Sequence, residues 1–526
     1  MSVTFAPFPT RRAANGMVCS VDHLASEAGV AVLRDGGNAV DAAVAASAVL
    51  AVTSQYMCGM GGDLFAIVHD GRGAPKVLNS SGFSGSGADA ETLRGEGHSL
   101  MPPRGDIRSV PVPGCVDGWM TLLKDMGRIG PERVLRDAIR LANDGFPVIS
   151  QLVWAVGLLN GLTGADEYQG ELVPGQLLKR PGIAQSLRDI STGGRAAFYQ
   201  GAFGEGLLAL GDGEYAASDL EQTNAHWVDP LSVDAFGHRL WTVPPNSQGY
   251  LTLSGAAVAD GLDLPLDPND PEWAHLLIES ALAAGRDRND VLHEFADGQV
   301  LLAPERTERL RSAIDTERAS NAKGNVAKGG TIYLCAVDAS GMGVSLIQSN
   351  AGGWGAHIVE PNTRIFLQNR GIGFSLESGH PAEYGPRRRP PHTLAPCLVT
   401  TTDNDLRAVL GAMGGDSQPQ VLLQLLARLL LSGSSPAATI AAPRWVLKPR
   451  SATGFNAWAA PEKLQVDIEG HAPAAWTSGL EQLGHTTHML DAFSSSTGHA
   501  HLIDLQHGTL AGAADPRAEA AAAVGY

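Results

Sequence analysis

The order of apolar and polar positions divides the chain into a helix-rich part and a strand-rich part. Near the N-terminus, residues 17–21 predict a short strand, and Asp22 can cap a helix that the glycine pair at 36–37 ends. Residues 39–52 are so rich in alanine that we expect a second helix packed closely on all sides. Residues from about 130 to 320 mainly predict helices joined by polar loops.

Strands dominate the chain after residue 331. A helix is expected at residues 420–431, and the alanine-rich tail at 512–526 is only weakly specified by its pattern. Runs with apolar residues at alternating positions predict strands at residues 332–337, 344–349, 364–368, 398–401, 407–411, 464–468, 488–490 and 501–504.

The border between the two parts carries a candidate nucleophile. A polar run at residues 319–327 leads to Gly330 and Thr331, where the first predicted strand of the second part begins. If the bond between these two residues is cut, Thr331 carries both a hydroxyl nucleophile and a free α-amine, whose pKa of about 7.7–8.0 suits a base near neutral pH. By itself, the tripeptide Gly329-Gly330-Thr331 is more typical of an ordinary turn that enters a strand, and the rest of the chain is what favours the nucleophile.

Charge and cysteine content exclude several classes of protein. The 55 acidic and 38 basic residues give a net charge of −17, which argues against nucleic acid or a membrane surface as a partner. The five cysteines are an odd number without a CxxC pair, so neither a disulfide framework nor a zinc site is predicted, and Cys335 is expected in the core. Without a secretory or membrane-length apolar run, we expect a soluble, cytoplasmic protein.

Several short motifs occur along almost the whole chain in an order typical of one family. In these motifs the chain resembles the γ-glutamyltranspeptidase family. They are residues 20–29, residues 36–45, the glycine loop at 59–62, residues 112–114 with Gly118, the proline pair at 244–245, the glycine pair at 414–415 and residues 441–444.

This resemblance implies a fold and a maturation step. The fold would be α+β, the four-layer αββα sandwich of the N-terminal nucleophile hydrolases. The precursor would cut itself between Gly330 and Thr331, giving a large subunit of residues 1–330 and a small subunit of residues 331–526 that together form one intertwined catalytic domain. Whether such heterodimers pair further is left open. The implied reaction uses an acyl-enzyme on Thr331 and needs neither a cofactor nor a metal.

The resemblance also implies two supporting groups at the site. The family has a second hydroxyl 18 residues after the nucleophile, which here is Ser349. Backbone N–H groups at Gly414 and Gly415 would donate to the negatively charged oxygen of the transition state. The plainer alternatives are an ordinary serine at a strand end and an ordinary strand-to-helix turn.

Three departures from the family pattern concern the substrate. Residues 78–83 lack the arginine that would bind a γ-glutamyl carboxylate, and Arg370 stands where the family has an acid for the substrate amine. His392 and Thr393 replace paired serines. These changes favour an acyl group that carries a carboxylate and no α-amine. The alternatives are an ion-paired structural arginine, a packed histidine and, for residues 387–389, a solvated basic loop.

Three functions follow from this reading. The first is a self-processing amidohydrolase that cleaves a small amide of a carboxylic acid, as in the oxamate amidohydrolase and acylase branches of the family. The second is a γ-glutamyl hydrolase or transferase that acts on glutathione or γ-glutamyl amides. The third is a non-processing homologue with a binding or structural role, which the presence of Gly330, Thr331 and Ser349 disfavours.

Overall fold

The computed structural model describes residues 8–159, 161–320, 330–449 and 464–526. The strands are β1 (Arg11–Ala13), β2 (Gly16–Ser20), β3 (Asp63–His69), β4 (Lys76–Ser80), β5 (Phe146–Pro147), β6 (Leu177–Leu178), β7 (His226–Val228), β8 (Leu231–Ala235), β9 (His238–Thr242), β10 (Gly330–Asp338), β11 (Gly343–Ala351), β12 (Cys397–Thr400), β13 (Leu406–Ala412), β14 (Trp445–Pro449), β15 (Leu464–Glu469), β16 (Thr487–Leu490), β17 (Ala500–Gln506), β18 (Thr509–Ala513) and β19 (Ala522–Gly525).

The helices cover more of the chain before residue 330 than after it. They are α1 (His23–Arg34), α2 (Ala39–Thr53), α3 (Ala90–Gly95), α4 (Cys115–Met126), α5 (Pro131–Asp144), α6 (Ser150–Val156), α7 (Pro181–Tyr199), α8 (Ala202–Leu210), α9 (Ala217–Glu221), α10 (Tyr250–Asp260), α11 (Pro271–Gly285), α12 (Arg288–Val291), α13 (Gly298–Leu301), α14 (Pro304–Ser312), α15 (Gln418–Leu430), α16 (Pro436–Ala441) and α17 (Ala474–Gln482).

Two antiparallel sheets of seven strands organise these elements. The first sheet has the order β19-β2-β10-β11-β3-β4-β7, and the second has the order β1-β18-β17-β13-β12-β9-β8. Each sheet contains strands from both sides of residue 330. The strands β14, β15 and β16 form a small third sheet, and β5 pairs with β6.

Alternating side chains of the strands enter different apolar clusters, as the pleat of a strand requires. On β10, Tyr333 and Cys335 join a cluster with residues of the second sheet, such as Leu398. Ile332 and Leu334 point to the opposite face, into a cluster with α1, α2, α4, α5 and α7. The outer face of the second sheet packs against α10, α11 and α15. The two large sheets therefore share one apolar cluster, and each also contributes to a cluster with helices.

Local signals explain the first two helices. The Asp22 side chain accepts a hydrogen bond from Leu24 N at the start of α1. Asn38 and Asp41 form a reciprocal capping box at the start of α2, whose residues are all buried. The predictions of both helices, and of the glycine break between them, are confirmed. Cys335 lies in the core, as predicted.

Most of the predicted strands are present, but one predicted strand is absent, and two regions form strands that the pattern did not predict. Residues 364–368 do not form a strand, because Arg364 has a φ of 63° and the segment makes only an isolated bridge through Phe366. The region from 130 to 320 also contributes β7, β8 and β9 to the large sheets. The tail is ordered as β19, which pairs with β2. In each case, partners distant in the chain decide the conformation.

The basic run at residues 387–389 is only partly solvated, since Arg387 is exposed but Arg389 is buried. Arg387 and Arg388 form ion pairs with Asp219 and Glu294 at 3.0 and 2.5 Å. Arg389 is buried, and its guanidinium lies 4.3 Å from the centre of the Phe83 ring. No helix in the described part of the chain combines the length and the apolar character that a membrane crossing requires.

Candidate active site

The pairing of β10 with β11 is irregular at the bond between Gly330 and Thr331. Gly330 lies opposite Ala351, whereas Ile332 lies opposite Gln348, so Thr331 faces two residues of the neighbouring strand. Ala351 has a φ of 70°, a left-handed conformation that is rare for a residue with a side chain. The regular ladder is thus disturbed at the bond that the sequence predicts to be cut.

A chain of hydrogen bonds joins the predicted nucleophile to this bond. Thr331 Oγ1 lies 2.9 Å from Ser349 Oγ, and the Ser349 hydroxyl donates to the carbonyl oxygen of Gly330 at 2.5 Å. Ser349 Oγ also accepts from Ala351 N at 2.8 Å. Because the Ser349 hydroxyl donates its proton to the Gly330 carbonyl oxygen, Ser349 Oγ accepts the hydrogen bond from the Thr331 hydroxyl. All of these groups are buried, so water does not compete for them.

The glycine loop at residues 59–62 packs directly against this strand pair. A Cβ atom on Gly62 would lie 2.2 Å from the carbonyl oxygen of Ser349, and one on Gly61 would lie 2.1 Å from that of Phe366. Only glycine allows two backbones to approach so closely. The loop therefore packs against the backbone at the end of β11 and holds it in place.

A cavity of about 330 Å³ opens beside Gly330. Gly353, Gly414 and Ser417 line it together with Gly330. Two basic residues that the sequence patterns did not indicate, Arg104 and Lys448, also line it. Neither belongs to a motif, so no local signal could have identified them.

The glycine pair at 414–415 forms a strand-to-helix turn, and Gly414 lines this cavity. Gly414 follows β13 and has a φ of 146°, and Gly415 has a φ of 58° in the 3-10 turn that precedes α15. The Ser417 N–H and hydroxyl both donate to the Gly414 carbonyl, at 3.1 and 2.7 Å. Positive φ values at consecutive positions explain why both residues are glycine.

A buried carboxylate, Asp63, lies beside β11. It is opposite Ser349 in the register of β3 and β11. One of its oxygens accepts hydrogen bonds from the backbone of Gly82 and Gly114, at 2.9 and 3.2 Å. The other lies 3.1 Å from Nε2 of His392. Burial, with a smaller contribution from Arg370, lowers the pKa of His392 to about 3, so this histidine is neutral near pH 7.

Arg370 belongs to a second, neighbouring cavity. Burial lowers the pKa of Arg370 to about 10, against the attraction of Asp63 and Asp416, so the side chain remains a cation near neutral pH. Together with Thr393 and Arg288 it lines a cavity of about 430 Å³. Arg288 forms an ion pair with Asp416 at 3.2 Å.

One side chain connects the second cavity to the glycine turn. Gln248 Nε2 donates to the carbonyl oxygens of Thr393 and Gly415, in both cases at 3.0 Å, and its Oε1 accepts from Arg288 Nε at 3.0 Å. Gln248 lies three residues after the proline pair at 244–245. Its role was not predicted from the sequence.

The structure thus groups the predicted site residues in three places. Gly330, Thr331 and Ser349 are in direct contact, and Gly414 lines the same cavity as Gly330. Arg370 and Thr393 line the neighbouring cavity. His392 is fully buried between Asp63 and the edge of the Phe65 ring.

Known proteins resemble this chain over its whole length. Oxamate amidohydrolase proenzyme from Klebsiella pneumoniae subsp. pneumoniae is 36% identical over 97% of this chain and 98% of that protein. Glutathione hydrolase-like YwrD proenzyme from Bacillus subtilis is 32% identical over 96% and 98%. The crystal structure of cephalosporin acylase from Bacillus halodurans superposes with a TM-score of 0.88, at 30% identity, and covers 100% of this chain and 99% of its own.

These relatives, together with a fold of helices and antiparallel sheets, define the class of protein. It is an enzyme, a hydrolase of amide carbon–nitrogen bonds other than peptide bonds. The family model for gamma-glutamyltranspeptidase matches residues 25–525. The chain therefore belongs to the gamma-glutamyltranspeptidase family, and the resemblance found in its motifs is confirmed.

Proposed function

We propose that the protein is a self-processing amidohydrolase whose nucleophile is Thr331. The observation that carries this proposal is the buried hydrogen-bond chain from Thr331 Oγ1 through Ser349 Oγ to the Gly330 carbonyl oxygen. The word proenzyme in the names of two relatives supports a cut in the chain. The products would be a large subunit, residues 1–330, and a small subunit, residues 331–526.

The hydrogen bonds suggest how the cut proceeds. Thr331 Oγ1 attacks the carbonyl carbon of Gly330 and passes its proton to Ser349 Oγ, while the Ser349 hydroxyl proton moves to the carbonyl oxygen. When the C=O bond re-forms and the C–N bond breaks, that proton returns through Ser349 to the nitrogen, which becomes the α-amine of Thr331. Water finally hydrolyses the ester between Gly330 and the threonine hydroxyl, which frees both chain ends.

Turnover of substrate repeats this chemistry with the new α-amine as the base. The amine accepts the proton of the Thr331 hydroxyl as it attacks a substrate amide, and it returns a proton to the departing ammonia or amine. Backbone N–H groups of Gly414 and Gly415 would donate to the developing oxyanion, where one donor contributes about 2.7–4 kcal/mol in known cases. The acyl-enzyme is then hydrolysed, and no cofactor takes part.

We further propose that the layers form the αββα sandwich of the N-terminal nucleophile hydrolases. Helices cover the outer face of each large sheet, and the inner faces share one apolar cluster. Because β10 and β11 lie between β2 and β3, the two subunits would remain a single intertwined domain after the cut. Pairing of two such units is compatible with this arrangement.

The substrate we propose is a small amide whose acyl group carries a carboxylate, of the oxamate type. Arg370 and Thr393 would contact that carboxylate, since Arg370 stays charged and lines a cavity next to the glycine turn. His392 lines neither cavity and both of its ring nitrogens already have protein partners, Asp63 and the N–H of Leu394, so neutral His392 would position Asp63 and would not contact the substrate. The oxamate amidohydrolase relative supports this substrate class.

Two alternatives compete with this substrate. A γ-glutamyl hydrolase or transferase is favoured by the glutathione hydrolase-like relative. It lacks support at residues 78–83, where no arginine is present. A non-processing homologue would not explain the irregular strand pairing at Gly330 or the hydrogen bonds from Thr331 through Ser349 to the Gly330 carbonyl oxygen.

Mass spectrometry and two assays test the proposal. The wild-type protein should yield two chains that begin at residues 1 and 331, Thr331→Ser should be cut more slowly, and Thr331→Ala should remain uncut and inactive. The wild-type enzyme should release ammonia from oxamate faster than glutamate from glutathione. A single intact chain in active enzyme would refute self-processing, and efficient turnover of glutathione would favour the γ-glutamyl alternative.

A further inference from the structure

Two histidines and a glutamate meet among the outer helices, far along the chain from the residues of the active site. His275 and Glu279 lie one turn apart on α11, and His485 follows the end of α17. The candidate ligand atoms of the three side chains all lie within 4.8 Å of one another. Residues four apart on a helix project from the same face, so His275 and Glu279 converge on His485.

The hydrogen bonds of His275 place its proton on Nε2 and leave Nδ1 free of a proton, as metal binding through Nδ1 requires. His275 Nε2 lies 3.2 Å from the carbonyl oxygen of Asp315, which can only accept, so this nitrogen carries the proton. The lone pair is then on Nδ1, which lies 2.8 Å from Nε2 of His485. Metal-binding histidines typically donate their second ring N–H to a carbonyl or carboxylate in this way.

Glu279 is a buried carboxylate beside the two histidines. Its Oε1 accepts a hydrogen bond from Ser320 N at 3.1 Å and lies 3.9 Å from Nε2 of His485. Among the residues that the structure describes, no lysine or arginine lies within 4.0 Å of this carboxylate. A buried carboxylate is costly unless it is paired or binds a metal.

We propose that His275 Nδ1, Glu279 and Nε2 of His485 bind one zinc ion, with water as the fourth ligand. Two nitrogens and one carboxylate oxygen are a ligand set that zinc accepts in tetrahedral geometry. Zinc–nitrogen bonds of about 2.0–2.1 Å place two ligand nitrogens about 3.3 Å apart. The histidine nitrogens would therefore separate by about half an ångström, and His485 would carry its proton on Nδ1.

The role of this zinc ion would be structural. None of its three ligands lines either of the cavities beside Gly330 and Arg370. His275 and Glu279 precede the proposed cut and His485 follows it, so the ion would join the large subunit to the small one. The hydrogen bond from Ala319 N to Leu483 O, at 2.7 Å, connects the same two segments. The bridging role rests on the proposed self-processing, whereas the zinc site itself does not.

Zinc binding to the full-length protein tests the site directly. After dialysis against a chelator, the wild-type protein is titrated with Zn²⁺, and bound metal is measured by elemental mass spectrometry. We expect one zinc per chain and a higher midpoint of thermal unfolding. Glu279→Gln and His485→Gln should bind zinc at least about a hundredfold more weakly. The exposed His488, which lies 3.1 Å from Asp467, supplies a matched control, and His488→Gln should bind as the wild type does.

Two further measurements keep the test decisive. If a ligand variant does not fold, Co²⁺ in the wild-type protein should give the intense absorption of a tetrahedral site, and one equivalent of Zn²⁺ should abolish it. The uncut Thr331→Ala chain should bind zinc as tightly as the wild type, so a failure of self-processing is distinguishable from a failure of the site. A wild-type protein that binds no zinc, or a His485→Gln variant that binds it normally, would overturn the proposal.

Discussion

The hydroxyl of Ser349 lies between the proposed nucleophile and the bond that this nucleophile would cut. It accepts from Ala351 N and donates to the Gly330 carbonyl, so its position is set from two sides. The hairpin that pairs Ile332 with Gln348 also explains the spacing of 18 residues, because continuing that register brings Thr331 next to Ser349. At the scale of the residue, the pairing of the two strands thus brings the hydroxyls of Thr331 and Ser349 into contact.

Arg370 offers a test of substrate recognition at the same scale. Arg370→Ala should lower kcat/KM for oxamate roughly ten- to hundredfold, mainly through KM, because a hydrogen bond to a charged group contributes about 1.5–3 kcal/mol. Arg370→Lys should recover only part of this loss, since a lysine lacks the planar fork of donors. Steady-state kinetics on fully processed enzyme measure both effects.

Arg104 is the matched control, because it is also an arginine but lines the cavity beside Gly330 and not the cavity of Arg370. Arg104→Ala should leave KM for oxamate close to the wild-type value. The opposite result, with Arg104→Ala impaired and Arg370→Ala normal, would place the carboxylate in the cavity beside Gly330. The thermal midpoint of each variant checks that a kinetic effect does not come from unfolding, since Arg370 is buried near Asp63 and Asp416.

At the scale of the element, the pair β10–β11 is positioned by a loop as well as by its sheet. The backbone of Gly62 lies against the carbonyl of Ser349, so the end of β11 is supported where its pairing with β10 becomes irregular. The glycine turn at 414–415 meets the same cavity from the second sheet. Two loops and one strand pair, from distant parts of the chain, therefore define the proposed site.

Gly62→Ala tests this support. The added methyl group would lie 2.2 Å from the Ser349 carbonyl oxygen, so β11 must shift, and overpacking of this kind costs about 1–3 kcal/mol. We expect slower or absent self-processing on a denaturing gel and a lower thermal midpoint. Gly59→Ala is the control from the same loop, because its methyl group would find the nearest atom at 3.5 Å. Equal processing of the two variants would contradict the proposed support.

At the scale of the whole molecule, segments before and after residue 330 are interleaved. In the first sheet, β10 and β11 lie between β2 and β3, and the last strand, β19, forms the edge beside β2. The second sheet likewise combines β8 and β9 with β12 and β13. Neither half of the chain can complete a sheet without the other.

We therefore expect the two subunits to remain together after the cut. Residues 1–330 and 331–526 should elute as one species on size-exclusion chromatography in native buffer and separate only in denaturant. The elution volume of processed enzyme should equal that of the uncut Thr331→Ala chain. Separate elution of the subunits in native buffer would argue against a shared domain.

Buried histidines predict how stability depends on pH. Burial lowers the pKa of His392 and His501 to about 3 and that of His499 to about 4, below the ordinary value near 6.5. Between these values the unfolded chain binds more protons than the folded one, so the free energy of unfolding falls as the pH is lowered below about 6.5. Each such histidine contributes about 1.4 kcal/mol per pH unit in this window.

Denaturant unfolding between pH 7.5 and 5 measures this slope. We expect little dependence above about pH 6.5 and a progressive loss of stability below it. His501→Gln should reduce the slope, because one proton fewer is taken up on unfolding. A stability that stays constant down to pH 5 would contradict neutral, buried histidines.

The sequence by itself determined those features that depend on residues close together in the chain. The caps at Asp22 and Asn38, the glycine break between α1 and α2, and the hairpin spacing from Thr331 to Ser349 are all local signals. The ordered motifs also indicated the family correctly. What a motif could not indicate is which distant groups would surround it.

Only the tertiary structure decided which groups meet. Asp63 and His392 are 329 residues apart but share a hydrogen bond, and Arg104 and Lys448 reach the cavity at Gly330 from opposite parts of the chain. The tail became a strand because β2 offered it an unpaired edge. Burial then set the pKa of His392, and no pattern along the chain contains that information. The physical reason is that desolvation and pairing depend on neighbours in space, which only the packed sheets bring together.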